Sequence, residues 1–81
     1  MDIFKIIERE ASNIDVIYVY SVDNMYKSYG KSALIICSLI PDVKSYDETI
    51  VSLEVIMNTV CIDKLQFESL LDVYSAIHID D

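Results

Sequence analysis

Apolar residues recur at helical spacing near both ends of the chain. Residues 2–12 carry isoleucines at positions 3, 6 and 7 on one arc and charged side chains on the opposite arc. Residues 64–77 repeat the pattern. Asp63 and Gln66 match a capping box that would begin a helix there. The sequence therefore predicts an amphipathic helix at the N-terminus and another over about 64–77. The apolar face of the second helix comprises Phe67, Leu70, Leu71, Tyr74 and Ile77.

Two segments between these helices have the composition of β-strands. Residues 14–22 are rich in β-branched and aromatic side chains, which favour extended backbone. Residues 32–40 are apolar at nearly every position, as expected for a central strand that is covered on both faces. Gly30 reaches a positive φ without steric cost, so the segment between the two runs suits a turn. The pattern predicts a β-hairpin with strands at about 14–22 and 32–40.

The segment that follows supports two interpretations. Ser45 and Glu48 match a capping box, and the absence of glycine and proline favours a helix over about 46–60. Apolar residues also alternate from position 51 to position 57, a pattern typical of a strand. The preferred prediction is an α+β domain with an N-terminal helix, a hairpin and two C-terminal helices. The alternative is α-β-β-β-α with a third strand at about 48–57.

Composition indicates one compact domain that spans residues 1–81. A chain of 81 residues has room for one core, and 53% apolar residues with 25% charged residues lie outside the range of disordered proteins. The longest apolar run is far shorter than the ~20 residues of a membrane-spanning helix. Cys37 and Cys61 lie within apolar runs, which is typical of buried thiols in a reducing compartment. We expect a soluble cytoplasmic protein.

The charge of the chain is strongly negative and unevenly distributed. Fourteen acidic and six basic residues give a net charge of −8, and nine of the acids lie in residues 42–81 beside only two bases. A negative surface repels phosphate backbones and anionic lipids, so neither nucleic acid nor a membrane is expected as a partner. A cationic protein surface is the expected partner of the second half.

Few residues of the chain are suited to catalysis. The sequence contains one glycine, so it has no glycine-rich loop to bind phosphate. It contains one histidine, His78, so no second histidine is available for acid–base catalysis. Its carboxylates do not have the spacing of a calcium loop. We therefore expect no enzymatic activity, no cofactor and no metal ion.

Tyrosines and carboxylates are the candidates for protein contacts. Tyrosine is enriched at interfaces because it offers a large contact area at little cost in rotamer entropy. The connection that contains Tyr26, Lys27 and Tyr29 is the best candidate for a contact loop. The other interpretation, which is favoured slightly, is that Met25 and Tyr29 fold back over the open end of the hairpin as a lid on the core. The predicted function is a small acidic module that occupies a partner's surface, as an inhibitor, immunity protein or antitoxin-like protein does. The alternative is a dimeric, chaperone-like or assembly subunit that uses apolar surfaces. The candidate partner-binding residues are Tyr26, Lys27, Tyr29, Asp47, Glu48, Glu54, Glu68 and Asp72.

Overall fold

The chain folds into a mixed β-sheet with helices on both faces. A computed structural model describes residues 3–50 and 55–80, and this part contains three helices and one five-stranded sheet. The predicted α+β class is confirmed. The elements in chain order are α1 (Ile3–Ala11), β1 (Ile17–Val22), β2 (Met25–Tyr29), α2 (Gly30–Leu39), β3 (Tyr46–Ile50), β4 (Val55–Ile62), α3 (Lys64–Val73) and β5 (Ile77–Asp80).

The order of the strands leaves β3 and β5 at the two edges of the sheet. Across the sheet the order is β3-β4-β2-β1-β5. Three neighbouring pairs are antiparallel, namely β3 with β4, β4 with β2, and β2 with β1. The last strand, β5, runs parallel to β1, which α3 makes possible by crossing between β4 and β5.

Each face of the sheet has its own hydrophobic core. On one face, Ile36 of α2 and Leu70 of α3 pack against a set of strand residues that includes Ile17. On the other face, Ile6 of α1 packs against a smaller set that includes Tyr20 and Met57. Because side chains alternate between faces along a strand, β1 contributes to both cores. The chain therefore has three layers, with one helix below the sheet and two above it.

The start of α2 depends on a residue from α1. The N-cap residue of α2, Tyr29, makes no capping hydrogen bond with its side chain. The Glu10 carboxylate accepts hydrogen bonds from the Ser32 backbone N–H at 2.9 Å and from the Ser32 hydroxyl at 2.7 Å. A carboxylate in this place satisfies an unpaired backbone donor and interacts favourably with the positive end of the helix dipole. Gly30 has a φ of 56°, and a Cβ at this position would lie 3.2 Å from the Glu10 Cβ.

The same cluster of polar groups also fixes the path into β1. The Ser32 hydroxyl oxygen accepts hydrogen bonds from the Tyr18 N–H at 2.9 Å and from the Asn13 side-chain amide at 3.2 Å. The Asn13 amide also donates to the Val16 carbonyl at 2.6 Å, and its oxygen accepts from the Val16 N–H at 2.9 Å. Ser32 is fully buried, so these bonds offset the cost of burying its polar groups. They join α1, β1 and α2.

The predicted hairpin is correct in its first strand and wrong in its second. Its second strand is β2, and residues 32–40 belong to α2 instead. The turn is tighter than predicted, because Asp23 and Asn24 both have positive φ, as a two-residue type I′ turn requires. An apolar run of this length does not distinguish a buried strand from a buried helix. In the structure its buried residues, Ser32, Ala33 and Ile36, have helical spacing.

The predicted helix over 46–60 is wrong, and the alternative strand over 48–57 is closer to the structure. These residues form two antiparallel strands, β3 and β4, and residues 51–54 lie outside the described residues. The capping box at Ser45 and Glu48 does not start a helix, since Tyr46 begins a strand. Pairing of β4 with β2 places Val60 and Ile62 in the core, and this burial outweighs the local capping signal.

The capping box that begins α3 is confirmed. The Asp63 carboxylate accepts from the Gln66 N–H at 2.8 Å, and the Gln66 side chain accepts from the Asp63 N–H at 3.0 Å. The helix ends at Val73 rather than near 77, because Ile77–Asp80 leave it to pair with β1 as β5. The predicted apolar face is wrong at Leu71, which is 47% exposed, whereas the preceding leucine is fully buried.

Replacing Glu10 with alanine should destabilise the domain. The change leaves the first turn of α2 and the buried Ser32 hydroxyl without their acceptor, at a cost of about 1 to 3 kcal/mol. Glu8→Ala on the exposed side of the same helix is the matched control and should change stability by less than about 0.5 kcal/mol. Urea unfolding followed by circular dichroism measures both. Equal effects would contradict the capping role of Glu10.

Candidate functional site

Tyr26 and Tyr29 lie within the sheet rather than in a contact loop. Both belong to β2, and their side chains point to opposite faces. The Tyr26 ring stacks on Phe67 of α3 with a centroid distance of 4.2 Å. Tyr29 is 4% exposed, and its ring centroid is 5.8 Å from that of Tyr20. Tyr29 is therefore a core residue, but it lies within a strand and not in a loop that folds back as a lid.

Lys27 of β2 forms an ion pair with Glu48 of the edge strand β3. Its Nζ lies 3.1 Å from Oε1 of Glu48 on β3, across the intervening strand β4. This hydrogen bond is the largest of the effects that raise the pKa of Lys27, and burial partly opposes it. Both side chains are about three-quarters buried, so the pair holds β3 in place on the face that α1 partly covers.

The carboxylates of β3 lie on opposite faces of an edge strand. Asp47 pairs with Asn58 on the α2 and α3 face, whereas Glu48 pairs with Met57 on the α1 face. Asp47 is exposed, and Tyr46 beside it is 44% exposed. The strand therefore presents negative charge to solvent on one face and a partly neutralised carboxylate on the other.

The solvent side of α3 combines apolar and acidic side chains. Leu65 is 75% exposed and Leu71 is 47% exposed, and Glu68 lies between them at a spacing of three residues from each. Asp72 follows one turn after Glu68 and is also exposed. We call these four residues the α3 outer surface. Its leucines contrast with the polar solvent side that is typical of a surface helix.

The predicted partner-binding residues thus separate into three groups. Tyr26, Lys27 and Tyr29 lie inside the sheet, Asp47 and Glu48 lie on its β3 edge, and Glu68 and Asp72 lie on α3. Glu54 lies outside the described residues. The sequence reasoning missed the exposed leucines of α3, although an apolar residue on each side of Glu68 is visible in the sequence as a departure from simple amphipathicity.

A groove of about 400 Å³ lies between α1 and β1 and is lined by charged side chains. Arg9 crosses it, with Nη1 3.0 Å from the Asp80 carboxylate of β5 and 3.4 Å from the Tyr20 hydroxyl. The guanidinium carbon also lies 5.2 Å from the Tyr18 ring centroid. Lys5 adds a weaker contact to Asp80 at 3.8 Å. These positive charges hold β5 against the sheet.

The described residues contain few other side chains suited to catalysis or metal binding. Cys37 and Cys61 are free thiols and half-buried. Within residues 3–50 and 55–80, no three His, Cys, Asp or Glu side chains are grouped so that they could hold a metal ion. No helix in that part of the chain is long and apolar enough to cross a membrane. No protein-family model, curated protein or solved structure matches the chain.

Replacing Asp80 with asparagine should make the folding stability fall less steeply as the pH drops into the acid range. The hydrogen bond from Arg9 is the largest effect that lowers the pKa of Asp80 below its ordinary value. The stability from this pair is therefore present above the unfolded pKa and is lost as the pH falls through the lower, folded pKa. Urea midpoints measured between about pH 5 and about pH 2 test this. Asp72→Asn is the matched control and should follow the wild-type slope; equal slopes in all three proteins would contradict the prediction.

Tyr29→Ala should cost about 3 to 5 kcal/mol, as expected for truncating a buried aromatic side chain. Its burial is also the main cause of the raised pKa of its hydroxyl. Tyr46→Ala on the exposed β3 edge is the control and should cost about 1 kcal/mol or less. Thermal and urea unfolding measure both variants. If Tyr29→Ala keeps wild-type stability, Tyr29 is not a core residue.

Proposed function

We propose that this chain is a small acidic protein-binding module that acts without catalysis by occupying the surface of a partner protein. Inhibitors, immunity proteins and antitoxin-like proteins act in this way. The observation that carries the proposal is the α3 outer surface, where two exposed leucines alternate with two exposed carboxylates. Such a surface provides both apolar contact and charge recognition.

The leucines supply the affinity of this interface. Fully covering an exposed leucine side chain contributes roughly 1.5 to 3 kcal/mol. Leu65, which is 75% exposed, can gain most of this, and Leu71, which is 47% exposed, can gain about half. Because α3 is held by its buried Phe67 and Leu70, the outer surface is preorganised and loses little conformational entropy on binding. The helix is therefore a rigid platform for a partner.

The carboxylates supply orientation and speed. The net charge of −8, with nine acids in residues 42–81, favours a partner with a basic surface and repels nucleic acid and anionic membranes. Opposite charge steers diffusional encounter and raises the association rate, and dissolved salt weakens this effect. Glu68 and Asp72 would face the basic groups of the partner.

We place the protein in the cytoplasm and assign it no enzymatic activity. Two free thiols, Cys37 and Cys61, suit a reducing compartment. The alternative, a dimeric chaperone-like or assembly subunit, has less support, because the apolar run at 32–40 is a helix that covers the sheet instead of a strand with two apolar faces. A homodimer would also bring two negatively charged chains together.

Reversing the charge of α3 should abolish capture of the partner. The tagged protein and the double variant Glu68→Lys/Asp72→Lys are used to capture proteins from a lysate of the native host. We expect the wild-type protein to retain a basic protein that the variant loses. The control Glu8→Lys/Asp42→Lys makes the same change in net charge at exposed positions outside α3 and β3, and should retain the partner.

The identified partner then allows two further measurements. Its association rate should fall as the salt concentration rises, because steering is screened. Leu65→Ser/Leu71→Ser should raise its dissociation rate at unchanged net charge. A partner retained equally by wild type and the α3 variants, or an association rate that salt does not alter, would overturn the proposed function.

A further inference from the structure

The outer edge of β3 carries unpaired backbone groups. β3 pairs with β4 along one side, and no strand within residues 3–50 and 55–80 pairs with its other side. In an antiparallel ladder, alternate residues direct their N–H and C=O groups towards the partner strand. In a five-residue edge strand, two or three residues therefore direct their backbone N–H and C=O groups outward. These groups form a template for one more strand.

The charges of Asp47 and Glu48 and the short length of β3 are the features of this edge that oppose strand addition. Proline, lysine, a β-bulge or a covering helix also protects edge strands in many proteins. Tyr46–Ile50 contains neither proline nor lysine, and its register with β4 is continuous from the Tyr46–Thr59 pair to the Ile50–Val55 pair. Asp47 and Thr49 are exposed, so α2 and α3 do not cover the strand there.

The other edge of the sheet is less suitable. β5 has four residues, and its last residue, Asp80, is held by Arg9 at 3.0 Å and contacted by Lys5. These long side chains from α1 reach over the end of the strand. We therefore consider β3 alone as the place for an added strand.

The side chains of β3 define what the added strand should carry. Asp47 and Glu48 are consecutive and point to opposite faces, so two consecutive basic residues on an incoming strand would place one cation beside each carboxylate. Tyr46 shares a face with Glu48 and lies within diagonal reach of the cation on that side. We propose that the β3 edge binds an extended segment of another protein with a Lys or Arg pair at its centre.

A second copy of this chain is a poorer occupant of the same edge. An antiparallel pair of β3 strands centred on Glu48 would place two Glu48 side chains opposite each other. Centring it on Asp47 would place two Asp47 side chains opposite each other. Like charges directly opposite each other destabilise strand pairing, and the net charge of −8 on each chain adds repulsion. The charges of this edge favour a basic partner over self-association.

Synthetic peptides test the proposal without knowledge of the natural partner. The probe is a fluorescent ten-residue peptide of alternating threonine and valine with Lys-Arg at its centre. One comparison peptide has Glu-Glu at the centre, and another has an N-methyl group on every residue, which removes the backbone donors of both edges and blocks strand pairing. Fluorescence anisotropy measures binding, and amide hydrogen exchange followed by NMR locates it. We expect the Lys-Arg peptide alone to bind and to protect amides of β3.

Charge-reversal variants identify the residues that bind the peptide. Asp47→Lys/Glu48→Lys should weaken binding of the Lys-Arg peptide by about tenfold or more, since two attractive cross-strand pairs become repulsive. Asp47→Lys leaves the Lys27–Glu48 pair intact, keeps the result interpretable if the double variant fails to fold, and should weaken binding about threefold or more. Glu68→Lys/Asp72→Lys, with the same change in net charge, should bind almost as well as the wild type.

The outcomes separate this edge from the proposed function at α3. Loss of peptide binding in the β3 variants only, with the α3 variant unaffected, supports the edge site even if no partner of α3 is captured. Equal weakening in both double variants means that net charge alone attracts the peptide and overturns the proposal. Equal binding of the N-methylated peptide, or no binding of any peptide, also overturns it. Dimers that form through protected β3 amides would make a second copy the occupant and overturn the proposal too.

Discussion

The carboxylate of Glu10 takes the place of a capping side chain at the start of α2, and the rest of the architecture depends on this contact. One carboxylate accepts both the N–H and the hydroxyl of Ser32, while that hydroxyl accepts from the Tyr18 N–H in β1. α1 on one face of the sheet is therefore joined through the end of β2 to α2 on the other face. Gly30 is needed at this crossing, because a Cβ would meet Glu10 and because φ is positive. A helix that lacks a cap of its own is thus fixed by a residue about twenty positions away in sequence.

This linkage determines which parts of the sheet are rigid and which are open. β1 and β2 lie in the middle part of the sheet, with α1 on one face and α2 on the other. Arg9 of α1 also binds Asp80 and so connects α1 to β5. β3 lies furthest from α1 and is held mainly by β4 and by the Lys27–Glu48 pair. Apolar side chains such as Ile14 and Leu34 are also exposed. Among the accessible surfaces, the β3 edge and the solvent side of α3 lie away from this linkage. Both carry acidic residues from the negative half of the chain.

Local signals predicted those elements whose boundaries are set locally. The amphipathic pattern located α1, and the Asp63–Gln66 capping box located the start of α3, because each signal is written within the residues of one helix. The same kind of capping signal at Ser45 and Glu48 failed, since β4 gains more by pairing with β2 than a helix gains from one cap. The turn at Asp23 and Asn24 was not recognised, and this error moved the second hairpin strand into α2. The run at 32–40 is apolar at nearly every position, even at the exposed Leu34, so its sequence lacks the periodicity that would have distinguished helix from strand.

The negative charge of the candidate sites was predictable from the sequence, but the spatial arrangement of their residues was not. A sequence reveals that acids outnumber bases after residue 41, yet strand pairing decides that Asp47 and Glu48 lie on opposite faces of an edge. Burial likewise decides that Tyr29 is a core residue and that Leu65 and Leu71 are surface residues. An acidic edge strand repels a copy of itself while its unpaired backbone still attracts a strand of opposite charge. In the proposed complex, the same carboxylates would oppose self-association and select a partner of opposite charge.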